Sequence, residues 1–138
     1  RIDTLQACVL SEKIKIIGKE IFRRQQISKI YLKHLSKIKE LSILEASRNT
    51  IGNGSSVVVL VDNRAKFQKY LGKCGIQTAN LYNYTICQQP TFKSLNCKNL
   101  INSKTIAKKN VCLPIHAYLS NKEVLHVVKS IKNYFKGM

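Results

Sequence analysis

The chain has 138 residues, enough for one ordinary domain and too few for two large ones, and 44% of them are hydrophobic, so a packed core is expected. No apolar run approaches the roughly 18 residues of a membrane span; the longest is Val57 to Val61. A formal net charge of +17 raises nucleic-acid binding as a rival reading. The excess is mostly lysine spread over the whole length, with few interleaved aromatic residues, and reads as a solvated surface or as a face suited to an anionic substrate.

The chain opens at Arg1, inside what reads as a helix start, and is expected to continue upstream. Asp3 and Gln6 have capping-box spacing. A long helix follows, with Ile14, Ile17 and Ile21 on one face and then Ile27, Tyr31, Leu35 and Ile38 on a face of different phase. The change falls at Arg23-Arg24-Gln25-Gln26, so the two halves are expected to meet different neighbours. Gly18 is a weak point within the helix. Residues 47–56, rich in Asn, Gly, Ser and Thr, mark a loop. This divides the chain into a long linking helix, 1–46, and a small α/β domain, 47–138.

Within that domain Val57–Val61 reads as a covered strand. Asp62 or Asn63 can cap a helix through Leu71, with Phe67, Tyr70 and Leu71 inward and Gly75 as a left-handed stop. A second strand is expected over 76–84, a connecting loop over 85–98, a short helix over 100–109 and a third strand over 111–115. Ser120 and Glu123 form a second capping box, and the last helix buries Val124, Val127, Val128, Ile131 and Phe135.

Five cysteines, an odd number with no C-x-x-C pair, argue against a disulfide framework or a zinc site and suggest buried thiols in a reducing cytosol. No metal site is expected. His34 and His126 read as structural, and the scattered glutamates suggest no acid/base pair.

Three segments in order resemble one family. Arg1-Ile2-Asp3-Thr4-Leu5-Gln6-Ala7-Cys8 is similar to N-x-R-x-D-x-L-Q-A-A of the DegT/StrS sugar aminotransferases, with Cys8 for the second Ala. Asp62-Asn63-Arg64, Tyr70-Leu71 and Gly75-Ile76-Gln77-Thr78 resemble the family's D-R…L-x-x-x-G-I-x-T, with Asn63 as an extra residue. Leu113-Pro114-Ile115-His116-Ala117-Tyr118-Leu119-Ser120, running into Glu123-Val124, resembles L-P-L-H-P-x-L-[ST]-x-x-E-[IV], with Ala117 in place of the usual Pro.

The resemblance implies the small C-terminal domain of a fold-type-I pyridoxal-phosphate enzyme, an α/β unit of α+β sandwich form. It has three or more strands, flanking helices and a long N-terminal helix, and the cofactor-binding large domain lies upstream. It further implies a cytoplasmic homodimer that transfers an amino group, usually from glutamate, to a nucleotide-linked keto sugar for polysaccharide or modified-sugar synthesis. Pyridoxal 5'-phosphate belongs to the full-length enzyme and is not expected on this piece, which is expected to be inactive alone. Some members are sugar 3-dehydratases, and the upstream part would separate the two activities. A remnant without activity is the remaining reading. No lysine here lies in the family's cofactor-lysine context, so no catalytic residue is assigned. The residues implied to lie near substrate or cofactor are Arg1, His116 and the tyrosines Tyr82 and Tyr84; Arg64 matches a family arginine and reads as structural.

Overall fold

The computed structural model describes residues 2–45, 47, 49–92, 94 and 100–137. Helix α1 spans Thr4–Leu35 and is followed by strand β1, Leu41–Ile43. Strand β2 is Val57–Val61, helix α2 Arg64–Lys73, helix α3 Ile101–Lys109, strand β3 Asn110–Leu113 and helix α4 Asn121–Lys136. Two short 3-10 turns, Ile86–Gln88 and Pro90–Phe92, lie between α2 and α3.

The three strands form one antiparallel sheet in the order β1-β2-β3, with Val59 opposite both Ile43 and Val111. Successive strand residues face opposite ways, so β2 sends Val57, Val59 and Val61 to one side and Val58 to the other. The first side packs on Ile27, Tyr31 and Leu35 of α1, Phe67 and Leu71 of α2, and Val124, Val128 and Ile131 of α4. Against the second lie α3 and the segment around Tyr82. A continuous β-branched run is what a strand covered on both faces requires, and this is the sandwich the sequence implies.

The last helix forms as its sequence specifies. Ser120 Oγ accepts from Glu123 N–H while Glu123 accepts from Ser120 N–H at 2.8 Å, a complete capping box. Gly75, at φ 75°, ends α2 in the left-handed region, where a side chain would be strained. Asn63, not Asp62, caps α2 by accepting from Lys66 N–H at 3.2 Å.

Several expectations are corrected. Asp3 accepts from Leu5 N–H, and α1 starts without a reciprocal box. The helix ends at Leu35 rather than running on through Ile38 to residue 46, because Leu41–Ile43 is drawn into the sheet beside β2. The expected strand over 76–84 reduces to one bridge, Ala79 opposite Cys112. Immediately after it, the Asn110 side chain takes the backbone groups of Leu81 and Tyr82 that a longer ladder would have used. Phe135 is only half-buried, and Tyr134 takes the inner position on α4.

The thiol reading also fails in part. Cys8 is exposed, Cys74 and Cys112 are half-buried, and Cys87 is disulfide-bonded. Counting and spacing exclude a framework of bridges but not a single pair, which depends on Cβ positions that only the folded loop sets.

Candidate functional site

The sheet's second side carries a cavity. It encloses about 700 Å³, within the range of small-molecule sites. Val58 and Asn110 form its floor, Ile106 and Ala107 of α3 one wall, and Tyr82 and Tyr84 the rim. Both tyrosines are exposed, so their ring faces are open to a ligand.

Asn110 holds this rim in place. It is 2% exposed and stands at the junction of α3 and β3. Its Oδ1 accepts from Leu81 N–H at 2.8 Å, and its Nδ2 donates to the carbonyls of Tyr82 and Ile106, both at 2.8 Å. One buried amide thus ties the tyrosine segment to the helix end and satisfies backbone groups that would otherwise be costly to bury. Arg64 adds a second tie, donating to Ala107 O at 2.8 Å, while Asp62 pairs with Lys109 instead. Thr85, buried beside the same wall, closes a local turn with Gln88.

His116 lies elsewhere. Asn110 opens β3 beside Tyr82, whereas His116 follows the other end of that strand, three residues beyond Leu113. It is exposed, and its carbonyl accepts from Leu119 N–H in the turn that leads into α4. The Ser120 hydroxyl and backbone N–H hold the neighbouring Glu123 carboxyl below its ordinary range, with a smaller contribution from His116. The structure therefore brings Tyr82 and Tyr84 together and leaves His116 outside their cavity. Arg1 lies outside the described residues.

The turn after β3 is anchored to the middle of α1. Tyr31 donates to Pro114 O at 2.9 Å, Arg23 donates to Leu119 O at 2.5 Å and to Asn121 Oδ1 at 2.9 Å, and Tyr118 donates to Glu20 at 3.1 Å. On the neighbouring side Gln25 donates to Gly52 O at 2.8 Å. These partners explain the phase change at Arg23-Arg24-Gln25-Gln26: the polar run is where α1 is stapled to two loops. Sequence reading marked the break but did not identify Glu20, Arg23 or Asn110 as anchors. The available signal was a polar run inside an otherwise amphipathic helix.

The cavity offers mainly aromatic and aliphatic side chains. Burial pushes the half-buried Cys112 thiol up, away from nucleophilic use. No group of three or more His, Cys, Asp or Glu suited to a metal occurs among the described residues. Nor do those residues fit pyridoxal phosphate, which needs a sheltered lysine for the Schiff base and a carboxylate facing the ring nitrogen. Among the described lysines none is buried, and Lys109 is ion-paired with Asp62, whose carboxylate is itself 83% exposed. No helix is long and apolar enough to cross a membrane among the described residues.

Comparison with known proteins supplies the context. Residues 1–132 match the model of the DegT/DnrJ/EryC1/StrS aminotransferase family. Over 134 residues, 97% of this chain, the sequence is 30% identical to dTDP-3-amino-3,6-dideoxy-alpha-D-galactopyranose transaminase of Aneurinibacillus thermoaerophilus, and covers 37% of that protein. It is 29% identical over 133 residues, 96% of this chain, to UDP-2-acetamido-2-deoxy-3-oxo-D-glucuronate aminotransferase of Pseudomonas aeruginosa, covering 36% of it. The fold overlays the S. venezuelae DesV structure, solved in complex with a ketimine intermediate, with a TM-score of 0.93 at 20% identity, covering 99% of this chain and 37% of that one. A DegT DnrJ EryC1 StrS aminotransferase from Brucella abortus overlays with a TM-score of 0.89 at 24% identity, covering 98% and 36%. The chain thus spans little more than a third of the length of the relatives it matches.

Proposed function

The chain belongs to the DegT/DnrJ/EryC1/StrS aminotransferase family, and from that premise we propose that it forms the C-terminal part of an enzyme that transfers an amino group from glutamate to a nucleotide-linked keto sugar. The family match across residues 1–132 carries this reading. Two relatives whose names specify transaminases of dTDP- and UDP-linked sugars support the substrate class. The parent enzyme is taken as a cytoplasmic homodimer that serves polysaccharide or modified-sugar synthesis. Enzymes of this family depend on pyridoxal phosphate, which supplies the electron sink for transamination when bound. The sheltered lysine and ring-facing carboxylate that it needs are assigned to the other part of the enzyme, so the isolated chain is proposed to be inactive.

The role assigned to this chain is to shape the substrate side of the cleft. Tyr82 and Tyr84 offer two exposed rings over an apolar cavity, a surface suited to the flat base of a nucleotide sugar. His116, outside the tyrosine cavity, and Arg1 are assigned to the approach to the sugar because the family resemblance implies it, and an imidazole and a guanidinium suit hydroxyl and phosphate or carboxylate groups. Helix α1 links this unit to the cofactor-binding part, which covers the helix's exposed apolar side. The lysines lie on all four helices rather than on one, which favours this reading over a nucleic-acid-binding module.

The test is turnover by the full-length enzyme with glutamate and dTDP- or UDP-linked keto sugars, followed by mass spectrometry of the amino sugar. Removing either ring, Tyr82→Ala or Tyr84→Ala, is expected to raise KM for the sugar nucleotide by about tenfold with kcat little changed, the size of one lost base-stacking contact. Unchanged KM in both variants would take the cavity out of the substrate site. Turnover by the 138-residue chain alone would contradict the division of labour.

A further inference from the structure

A second concavity lies on the opposite side of the molecule's core, between α2 and the end of α4. It encloses about 420 Å³, and its lining includes Lys66, Lys69 and Lys73 of α2 together with Tyr70, Asn133 and Tyr134. We propose that this groove binds a small polyanion carrying two or more linked phosphate groups, a site independent of the sugar-nucleotide reading above.

Charge is the first argument. The chain has seven acidic residues, and none of them lines the groove. The ion pairs among the described residues engage Lys13, Lys15, Arg24 and Lys109, and leave the three groove lysines without a carboxylate partner. The last carbonyls of α2 and α4 each place about half a negative charge at the groove, near Lys73 and Gly137, and three ammonium groups outweigh them.

Spacing sets the ligand's size. Lys66, Lys69 and Lys73 recur at i, i+3 and i+7, one face of α2. At the helical rise their Cα atoms span about 10 Å. Two or three linked phosphates match that length with the lysine side chains extended, whereas a single phosphate engages all three only if their flexible stems converge on it.

The wall supplies an independent sign. Tyr134 is 6% exposed, and its hydroxyl is buried without a hydrogen-bond partner. A buried phenol proton is ordinarily matched to an acceptor; the hydroxyl has no accessible surface here, so a phosphate oxygen in the groove meets it once the wall between α2 and α4 shifts to open it. The rings themselves are committed to packing: Tyr134 lies 5.1 Å from Phe67 and 5.2 Å from Tyr70, centroid to centroid. They are not free to stack on bases, which argues for a compact phosphate ligand over a nucleic-acid strand.

The experiment is a titration of the 138-residue chain with sodium tripolyphosphate at constant ionic strength, read by amide chemical shifts. Saturable shifts are expected at Lys66, Lys69, Lys73 and Tyr134. The double variant Lys69→Gln/Lys73→Gln is expected to weaken binding by about tenfold and Tyr134→Phe by roughly threefold, charge-assisted bonds being the stronger kind. Tyr134→Phe removes only an oxygen, and an unchanged melting temperature shows that its fold is intact. Linear shifts spread over the lysines of α1 and α3 would overturn the proposal, as would affinity that survives the double variant. Displacement of tripolyphosphate by a single-stranded oligonucleotide from these same lysines at lower concentration would overturn it too.

Discussion

The two halves of α1 follow the same helical periodicity in different surroundings. In the second half Ile27, Tyr31 and Leu35 are fully buried beneath the sheet and α4. In the first half Leu5 is 79% exposed and Ile14 68%, although both are as apolar as their buried counterparts. Between them lies the polar run that fastens the helix to the turn before α4 and to the loop at Gly52–Gly54. A hydrophobic stripe thus records that a face is meant to be covered and says nothing about which polypeptide covers it. The second stripe is satisfied within the chain; the first is exposed, and the proposed reading assigns it to the rest of the enzyme.

The contrast is sharpest in truncation. Leu35→Ala should cost about 2–5 kcal/mol of stability, the range for emptying a packed site. Ile14→Ala should stay within about 0.5 kcal/mol, as exposed substitutions do. Urea unfolding of the two variants checks both, and equal losses would break the comparison.

At the boundary, Gly54→Ala should cost about 1–3 kcal/mol, because it strains the left-handed backbone and drives a methyl into the helix. Gly54 has φ 67°, and an added β-carbon would stand 2.7 Å from Arg24 Cβ. Thermal melts read this directly, with Gly18→Ala as the matched control where nothing lies within 4 Å. That control should instead gain about 0.5–1 kcal/mol of local helix stability, the usual difference between the two residues, seen as added ellipticity at 222 nm.

A smaller effect concerns Tyr31. Its phenol donates to Pro114 O, and burial pushes its pKa well above the ordinary value near 10. The folded form holds the proton more tightly than the unfolded chain, so the stability tied to this group is complete below pH 10 and declines as pH rises above it. Tyr31→Phe should cost about 1 kcal/mol at neutral pH, the usual worth of one hydrogen bond, and should flatten the alkaline decline. Stability measured at pH 8 and pH 11 tests the sign.

Much of the architecture was legible because single residues carry it. The Ser120/Glu123 box, the Val57–Val61 run and Gly75 each permit one local structure, and each forms it. Leu41–Ile43 was not legible, since three residues continuing a helical pattern give no period of their own and pair only because β2 is beside them. The strand over 76–84 failed for a tertiary reason: Asn110, 29 residues from Leu81, captures the backbone that would have extended it. The candidate cavity was legible in its rim and not in its anchors. Tyr82 and Tyr84 were singled out by their place after Gly-Ile-x-Thr and share one cavity. The anchors Asn110, Arg23 and Glu20 act across long sequence separations and left no short motif.

The central claim is that the open stripe of α1 is completed by the rest of an aminotransferase. Amide hydrogen exchange over residues 5–17, compared between the 138-residue chain and the full-length enzyme, tests it most directly. On the proposed reading, packing against the cofactor-binding part should slow exchange there by about a hundredfold or more, the effect of converting a fraying helix to a packed one, while residues 27–35 change little. Equally fast exchange at 5–17 in both proteins would contradict the account.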